Sequence, residues 1–257
     1  MKKTKILVVI PTYNCSSQIG RVIQSFDQNT ISRIYRIAVF NDKSKDDTEH
    51  KALEAIKKKG SGKMYLYSND QNRGLGGTHK AGYLLARKLG CSHMAIIHGD
   101  DQAETKELNN LIDVADKDGQ IKAVLGSRFM KRSRLVGYST IRILGNKVLN
   151  FLFTLVTLKR TLDLGSGLNL FSLKAFSEND FSKLGDGLTF NVDLLLLMYR
   201  NRVKIKFVPI TWKETDQISN AKIFKVGSII IKSLIRWRLG IKNPLVPKND
   251  YSFKEIK

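Results

Sequence analysis

Residues 94–102 read Met-Ala-Ile-Ile-His-Gly-Asp-Asp-Gln, an apolar run that stops abruptly at acidic and hydrogen-bonding groups. Such a run describes a buried strand that delivers Asp100 and Asp101 to its C-terminal end. In an open α/β sheet that edge is where ligands bind. Adjacent carboxylates in a chain of formal charge +21 need a reason to sit together. A divalent cation holding a diphosphate supplies one. Capping of a helix that starts near Glu104 supplies another, and the residues leave both open.

The elements that must position this stretch follow from periodicity. Residues 6–10 form a β-branched and leucine run fit for a strand buried on both faces, ending in Pro11-Thr12-Tyr13-Asn14. Ser16 and Ser17 precede Ile19, Val22, Ile23 and Phe26, the spacing of an amphipathic helix with a serine cap. Residues 34–40 give a second strand, followed by a polar loop from Asn41 and Asp42 to Thr48, and residues 51–59 a helix. A third strand, 63–67, leads into Asn72-Arg73-Gly74-Leu75-Gly76-Gly77, then a helix over 81–89 and the strand 94–97. This alternation predicts a mostly parallel sheet with helices on both faces and right-handed crossovers. The polar loops all follow strands, so they gather along one crevice. The glycine loop is neither a dinucleotide fingerprint nor a P-loop. Its glycines fit a close approach of backbone to ligand or helix, or a plain turn.

Composition limits the partners. There are 44 Lys and Arg against 23 Asp and Glu, which calls for an anionic partner: nucleic acid, an anionic membrane surface or a phosphorylated substrate. No nucleic-acid recognition motif is present, and the crevice acids would repel a phosphate backbone. The two cysteines, Cys15 and Cys91, have no zinc-site partners and read as free thiols in a cytoplasmic protein. The longest apolar segments, 148–158 and 226–235, are well short of the roughly 20 residues that span a bilayer.

Four ordered motifs now carry a resemblance. Pro11-Thr12-Tyr13-Asn14, Asn41-Asp42 with Ser44 and Asp46, Asn72-Arg73-Gly74, and His98-Gly99-Asp100-Asp101-Gln102 stand in the order and spacing of family 2 glycosyltransferases of the GT-A fold. Within that family the chain most resembles the dolichyl- and polyprenyl-phosphate sugar synthases. Gly126-Ser127-Arg128-Phe129, Asp163 with Gly165-Ser166-Gly167, and Val208-Pro209-Ile210 with Ser219, Asn220 and Lys222 extend the match over roughly residues 5–225.

The resemblance implies an inverting transfer from a nucleoside-diphosphate sugar. Pro11, Tyr13 and Asn14 would pack on base and ribose, Asp42 would accept a hydrogen bond from the base, and Asn72, Gly74 and Gln102 would line the donor site. Asp100 matches the second acid of the family's metal motif and His98 stands where the first acid is usual. The implied cofactor is thus Mn²⁺ or Mg²⁺, imidazole suiting Mn²⁺ and Mg²⁺ preferring oxygen. Cys15 replaces a usual glutamate and Asn41 a usual aspartate. Arg128 and Lys222 would face phosphate oxygens, with a carboxylate partner that braces the loop as the other role for Arg128. Asp193 is the candidate general base, or else an acid at a helix N-terminus. An acceptor that is already a phosphate needs no base.

The expected division is a catalytic domain over 1–222 and a basic amphipathic extension over 223–257. In the extension, Lys225, Lys232, Arg236 and Arg238 interleave with Ile229, Ile231, Leu234, Ile235 and Trp237. That is the composition of an interfacial helix lying on anionic lipid, or of one docked on the domain or on a second subunit. The helix that contains Arg142, Asn146, Asn150 and 151–158 is expected to pack in the core. The leading functional expectation is sugar transfer to a lipid-linked polyprenyl phosphate, peripheral to the inner membrane face. Transfer to a hydroxyl of a growing glycan and, from a different class, a basic nucleic-acid-binding module are the alternatives.

Overall fold

The computed structural model describes residues 4–216, 223–241 and 251–257. The first half alternates strand and helix: β1 (Ile6–Thr12), α1 (Ser16–Ser25), α2 (Gln28–Arg33), β2 (Arg36–Asn41), α3 (Thr48–Lys59), β3 (Met64–Asn69), α4 (Gly74–Lys88), β4 (His93–Ile97), α5 (Leu108–Lys117) and β5 (Ala123–Ser127). The second half is less regular: β6 (Arg134–Val136), α6 (Thr140–Thr157), β7 (Leu168–Ser172), α7 (Glu178–Ser182), α8 (Phe190–Arg200), β8 (Ile205–Pro209), β9 (Thr211–Lys213), α9 (Ile223–Arg238) and β10 (Phe253–Glu255).

The main sheet has the order β10-β3-β2-β1-β4-β7-β5-β8. It is parallel as expected except at two places. β7 runs antiparallel between β4 and β5, and β10 pairs antiparallel with β3 at the edge. The smaller sheet joins β6 to β9 in parallel. Side chains alternate across a strand, so β1 feeds two cores. Leu7 and Val9 join Ala81, Leu85, Leu194 and Phe153 beneath α4, α8 and α6. Ile6, Val8 and Ile10 join Ile19, Val22, Ile56 and Leu111 beneath α1, α3 and α5. That double burial explains the unbroken apolar run.

Three local expectations are corrected. α1 has no serine cap: Cys15 is its N-cap residue without a side-chain bond, and Asp46 instead accepts from the Ser16 amide at 3.1 Å. The glycine loop is not a loop for its whole length, because α4 already begins at Gly74. α6 is not a core helix on every side. Asn150, Phe153 and Thr157 are buried, whereas Phe151 and Leu155 are 65% and 59% exposed. α9 packs against α6 and α8, with Ile230 and Leu234 buried. No helix among the described residues is long and apolar enough to cross a membrane.

Candidate functional site

The ends of β1, β2 and β4 open into a cavity of about 600 Å³. Pro11, Thr12, Tyr13, Asn14 and Cys15 form one wall, with Asp42 and Asn72 beside them. Gly74, Leu75 and Thr78 contribute the start of α4, His98, Gly99 and Asp100 the end of β4, and Leu188 a rim. The four loops meet because they are stitched together. The Asn14 amide donates to Ser44 Oγ at 3.1 Å, Asn14 Oδ1 accepts from the Lys45 amide at 2.8 Å, and Cys15 N–H donates to Thr48 Oγ1 at 2.8 Å. The Gly99 amide donates to the Pro11 carbonyl at 3.0 Å, closing β4 onto β1.

Asp42 is the hub of this cavity. It is buried, and its carboxylate accepts from Asn69 Nδ2 at 2.7 Å, the Arg73 amide at 2.8 Å and the Gly74 amide at 2.8 Å. A carboxylate has about four acceptor positions, so one remains for a ligand. Asn72 Nδ2 donates to the Asp42 carbonyl at 3.0 Å, which holds the third loop in place. The glycines serve a close approach, as anticipated. A Cβ on Gly76 would meet Phe190 Cδ2 at 2.7 Å, and the Gly76 amide donates to the Asp186 carbonyl at 2.8 Å. Lys80, fully buried, ties the same segment down through Asp186 Oδ1 at 2.7 Å and Tyr251 Oη at 2.9 Å. Sequence reasoning missed Leu188, which this anchoring brings to the cavity from far along the chain. It missed Asn69 too, whose only signal was its place at the end of a strand.

The two carboxylates of the opening stretch part company. Asp101 takes a positive φ of 60° and pairs with Arg21 Nε at 2.7 Å. Arg21 also holds Asp216 at 2.9 Å, so Asp101 belongs to a surface ion-pair cluster. Asp100 stays in the cavity, where burial pushes its carboxyl above the usual carboxylate range against the pull of His98. Burial also holds His98 below the ordinary histidine value, hence neutral, and its Nε2 has no hydrogen-bond partner among the described residues. The His98 ring rests on Gly167, where a Cβ would stand 2.8 Å from it. Cys15, on the same wall, is a thiol pushed up to about 12, chiefly by burial and then by Asp100.

A cation fits this donor set. Asp100 is a desolvated carboxylate, and beside it the buried His98 Nε2 has no hydrogen-bond partner among the described residues. No group of three or more His, Cys, Asp or Glu among the described residues is placed to hold a metal. The protein would therefore supply Asp100 and His98, and diphosphate oxygens and water the rest.

Other expected residues lie elsewhere. Arg128 is not in the cavity lining. Its Nε and Nη2 donate to Asp163 at 2.8 and 2.7 Å, and its amide donates to the same carboxylate at 2.9 Å. Burial opposes its charge, but Asp163 outweighs this and raises the guanidinium further. The arrangement is the bracing one, extended by Tyr138, whose hydroxyl accepts from Arg128 Nη1 at 3.4 Å. Gln102 leaves the cavity too, donating through Nε2 to Glu214 at 3.4 Å, while Glu214 pairs with Arg142 at 2.5 Å. Asp193 sits in the first turn of α8 and lines a separate cavity of about 300 Å³ with Arg200 and Trp237. Lys222 lies outside the described residues.

Comparison with known proteins identifies relatives of this chain. The chain is 27% identical over 210 residues to an uncharacterized protein of Methanocaldococcus jannaschii, covering 82% of each. It is 27% identical over 230 residues to dolichyl-phosphate beta-glucosyltransferase of Saccharomyces cerevisiae, covering 81% of this chain and 67% of that one. It is 25% identical over 250 residues to UDP-N-acetylglucosamine–dolichyl-phosphate N-acetylglucosaminyltransferase of Methanococcus voltae, covering 91% and 96%. Among solved structures, glucosyl-3-phosphoglycerate synthase of Mycobacterium tuberculosis in complex with uridine diphosphate shares the fold, with a TM-score of 0.65, 17% identity and coverage of 93% and 82%. The profile of Glycosyl transferase family 2 matches residues 7–180, which include all but one of the residues lining the larger cavity. The chain therefore belongs to glycosyl transferase family 2 and is a glycosyltransferase with an α/β sheet of the GT-A type.

Proposed function

We propose that this glycosyltransferase binds a nucleoside-diphosphate sugar in the cavity at the ends of β1, β2 and β4. It transfers the sugar, with inversion, to a polyprenyl phosphate presented at the inner face of a membrane. One observation carries the choice of acceptor. Among the described residues lining that cavity the only carboxylates are Asp42 and Asp100. Asp42 already accepts three hydrogen bonds, and Asp100 is the group suited to a cation. No carboxylate is left to take a proton from an attacking hydroxyl. An acceptor phosphate is already anionic and needs none. Two of the similar proteins, of Saccharomyces cerevisiae and Methanococcus voltae, are named as dolichyl-phosphate transferases, in agreement.

In this reading the base packs against the Pro11–Asn14 wall and Tyr13, and Asp42 offers its remaining acceptor position to it. Asp100 and His98 would hold a divalent cation, which would supply positive charge against the departing diphosphate. An acceptor phosphate oxygen bonds to the anomeric carbon as the bond to the diphosphate oxygen breaks. Arg128 acts from behind, fixed by Asp163, and its charge helps keep His98 neutral. A thermal-shift panel of uridine, guanosine and other nucleoside-diphosphate sugars, each with Mn²⁺ or Mg²⁺, tests the donor half. A ligand bound only by the native state raises the melting temperature. Stabilisation by one donor, dependent on metal, is expected, and silence across the panel overturns the reading.

A further inference from the structure

α6 carries an apolar stripe that the described residues leave exposed. Ile141, Leu144, Val148, Phe151 and Leu155 recur at alternating spacings of three and four, which places them on one helix face, and Leu158 follows as the left-handed C-cap. Each is at least half exposed, Ile141 at 80% and Leu158 at 84%. The opposite face is fixed to the protein through Asn150, Phe153 and Thr157. Contiguous exposed apolar surface of this kind marks an interaction site.

The charge around the stripe selects the partner. At the end of α6, Lys159 and Arg160 open a cavity of about 500 Å³ that Arg202 and Lys206 also line, together with apolar Leu162 and Phe207. Among the described residues no carboxylate lines it. α6 itself contains no Asp or Glu. A second copy meeting this face would set like charges against each other in a chain of net charge +21, with no acid on the helix to pair them. An anionic bilayer supplies both what the stripe lacks and what the cations lack: acyl chains and phosphate.

We infer that the α6 stripe lies in the surface of an anionic bilayer, with a lipid headgroup phosphate seated in the cavity of Lys159, Arg160, Arg202 and Lys206. The inference deepens the lipid-acceptor reading by naming the surface that meets the membrane. It also orients the enzyme. The first turns of α6 join the polar cluster beside the donor cavity, through Arg142 to Glu214 and through Asn146 Nδ2, which donates to Tyr138 Oη at 3.2 Å. Seating the helix on lipid thus carries that cluster to the headgroup layer.

The test is co-sedimentation with vesicles of phosphatidylcholine alone and of phosphatidylcholine and phosphatidylglycerol in equal parts. Two variants are compared with the wild type: Leu144→Gln/Phe151→Gln/Leu155→Gln and Lys159→Glu/Arg160→Glu. These side chains are exposed, so both variants should keep the wild-type melting temperature. The wild type is expected to sediment with the anionic vesicles only. The triple variant should lose about tenfold or more in apparent affinity, and the charge variant should lose the preference for phosphatidylglycerol. Wild-type behaviour of the triple variant, or no sedimentation of the wild type, overturns the inference. So does a triple variant whose mass by light scattering halves while vesicle binding is unchanged, since that assigns the stripe to a second copy. Transfer to a water-soluble short-chain prenyl phosphate is measured in parallel. Activity there without vesicle binding removes this inference and leaves the proposed function standing, and vesicle binding without that activity does the reverse.

Discussion

The wall built from 11–15, 42–48 and 72–78 and the region from Ser127 to Asp216 meet at the end of β4, where the His98 amide donates to the Gly167 carbonyl, and they are held by different means. In the first, loops adjacent in the sheet close on one another by short hydrogen bonds to backbone, as in Cys15 to Thr48 and Gly74 to Asp42. In the second, cohesion comes from charged pairs distant in sequence: Arg128 with Asp163, and Arg142 with Glu214. A nucleotide is a constant shape, which suits a wall whose donors and acceptors are already set. The second region is charged and less regular, and it ends in the apolar face of α6. Specificity for an acceptor is expected from that side.

The comparison makes its largest claim at the buried pair. Asp163→Ala strips a buried guanidinium of its partner and should cost about 3–5 kcal/mol of stability, read as a large drop in the denaturation midpoint with the nucleotide wall otherwise intact. A shift under about 1 kcal/mol, the level of an exposed pair, would show that the second region does not depend on this pair. Next in size is Asp100→Asn, which removes charge from the proposed cation site at nearly constant volume. Turnover should fall about a hundredfold or more, while the melting temperature falls not at all, since burial disfavours the carboxylate that is removed. Normal metal-dependent turnover in this variant would take the cation away from Asp100. Smaller again, Asp42→Ala should weaken nucleoside-diphosphate binding by about 1–3 kcal/mol, measured by calorimetric titration. An affinity within about twofold of wild type would place the base on another part of the wall.

The two regions also differ in how much the sequence disclosed. β1 to β4 were legible because each is an apolar run bounded by turn residues, and the polar loops had to follow them. Pro11, Tyr13, Asn14, Asp42, Asn72, Gly74, His98 and Asp100 all line the cavity at the ends of β1, β2 and β4. β7 was not legible. Its Asn169 and Ser172 break the apolar pattern, and what holds it is pairing with β4 and β5. β10, with Lys254 and Glu255 exposed, has no periodicity, and its register with Tyr67 to Asn69 makes it a strand. α6 misled for the opposite reason. Its residues suit a core, and the packing of α9 against it helps determine which side is covered. For Arg128 the sequence left the phosphate and bracing roles both open, because its carboxylate partner lies 35 residues away, a pairing that spacing does not encode.

The central claim is that the acceptor is a phosphate and that no general base is required. The direct measurement is sugar transfer to a short-chain prenyl phosphate and to the corresponding prenol, by the wild type and by Asp193→Asn. The account predicts transfer to the phosphate alone, at rates that agree within about twofold between the two proteins, because Asp193 lines a cavity separate from the donor site. Transfer to the prenol that Asp193→Asn abolishes would contradict it, and would make Asp193 the base for a hydroxyl acceptor.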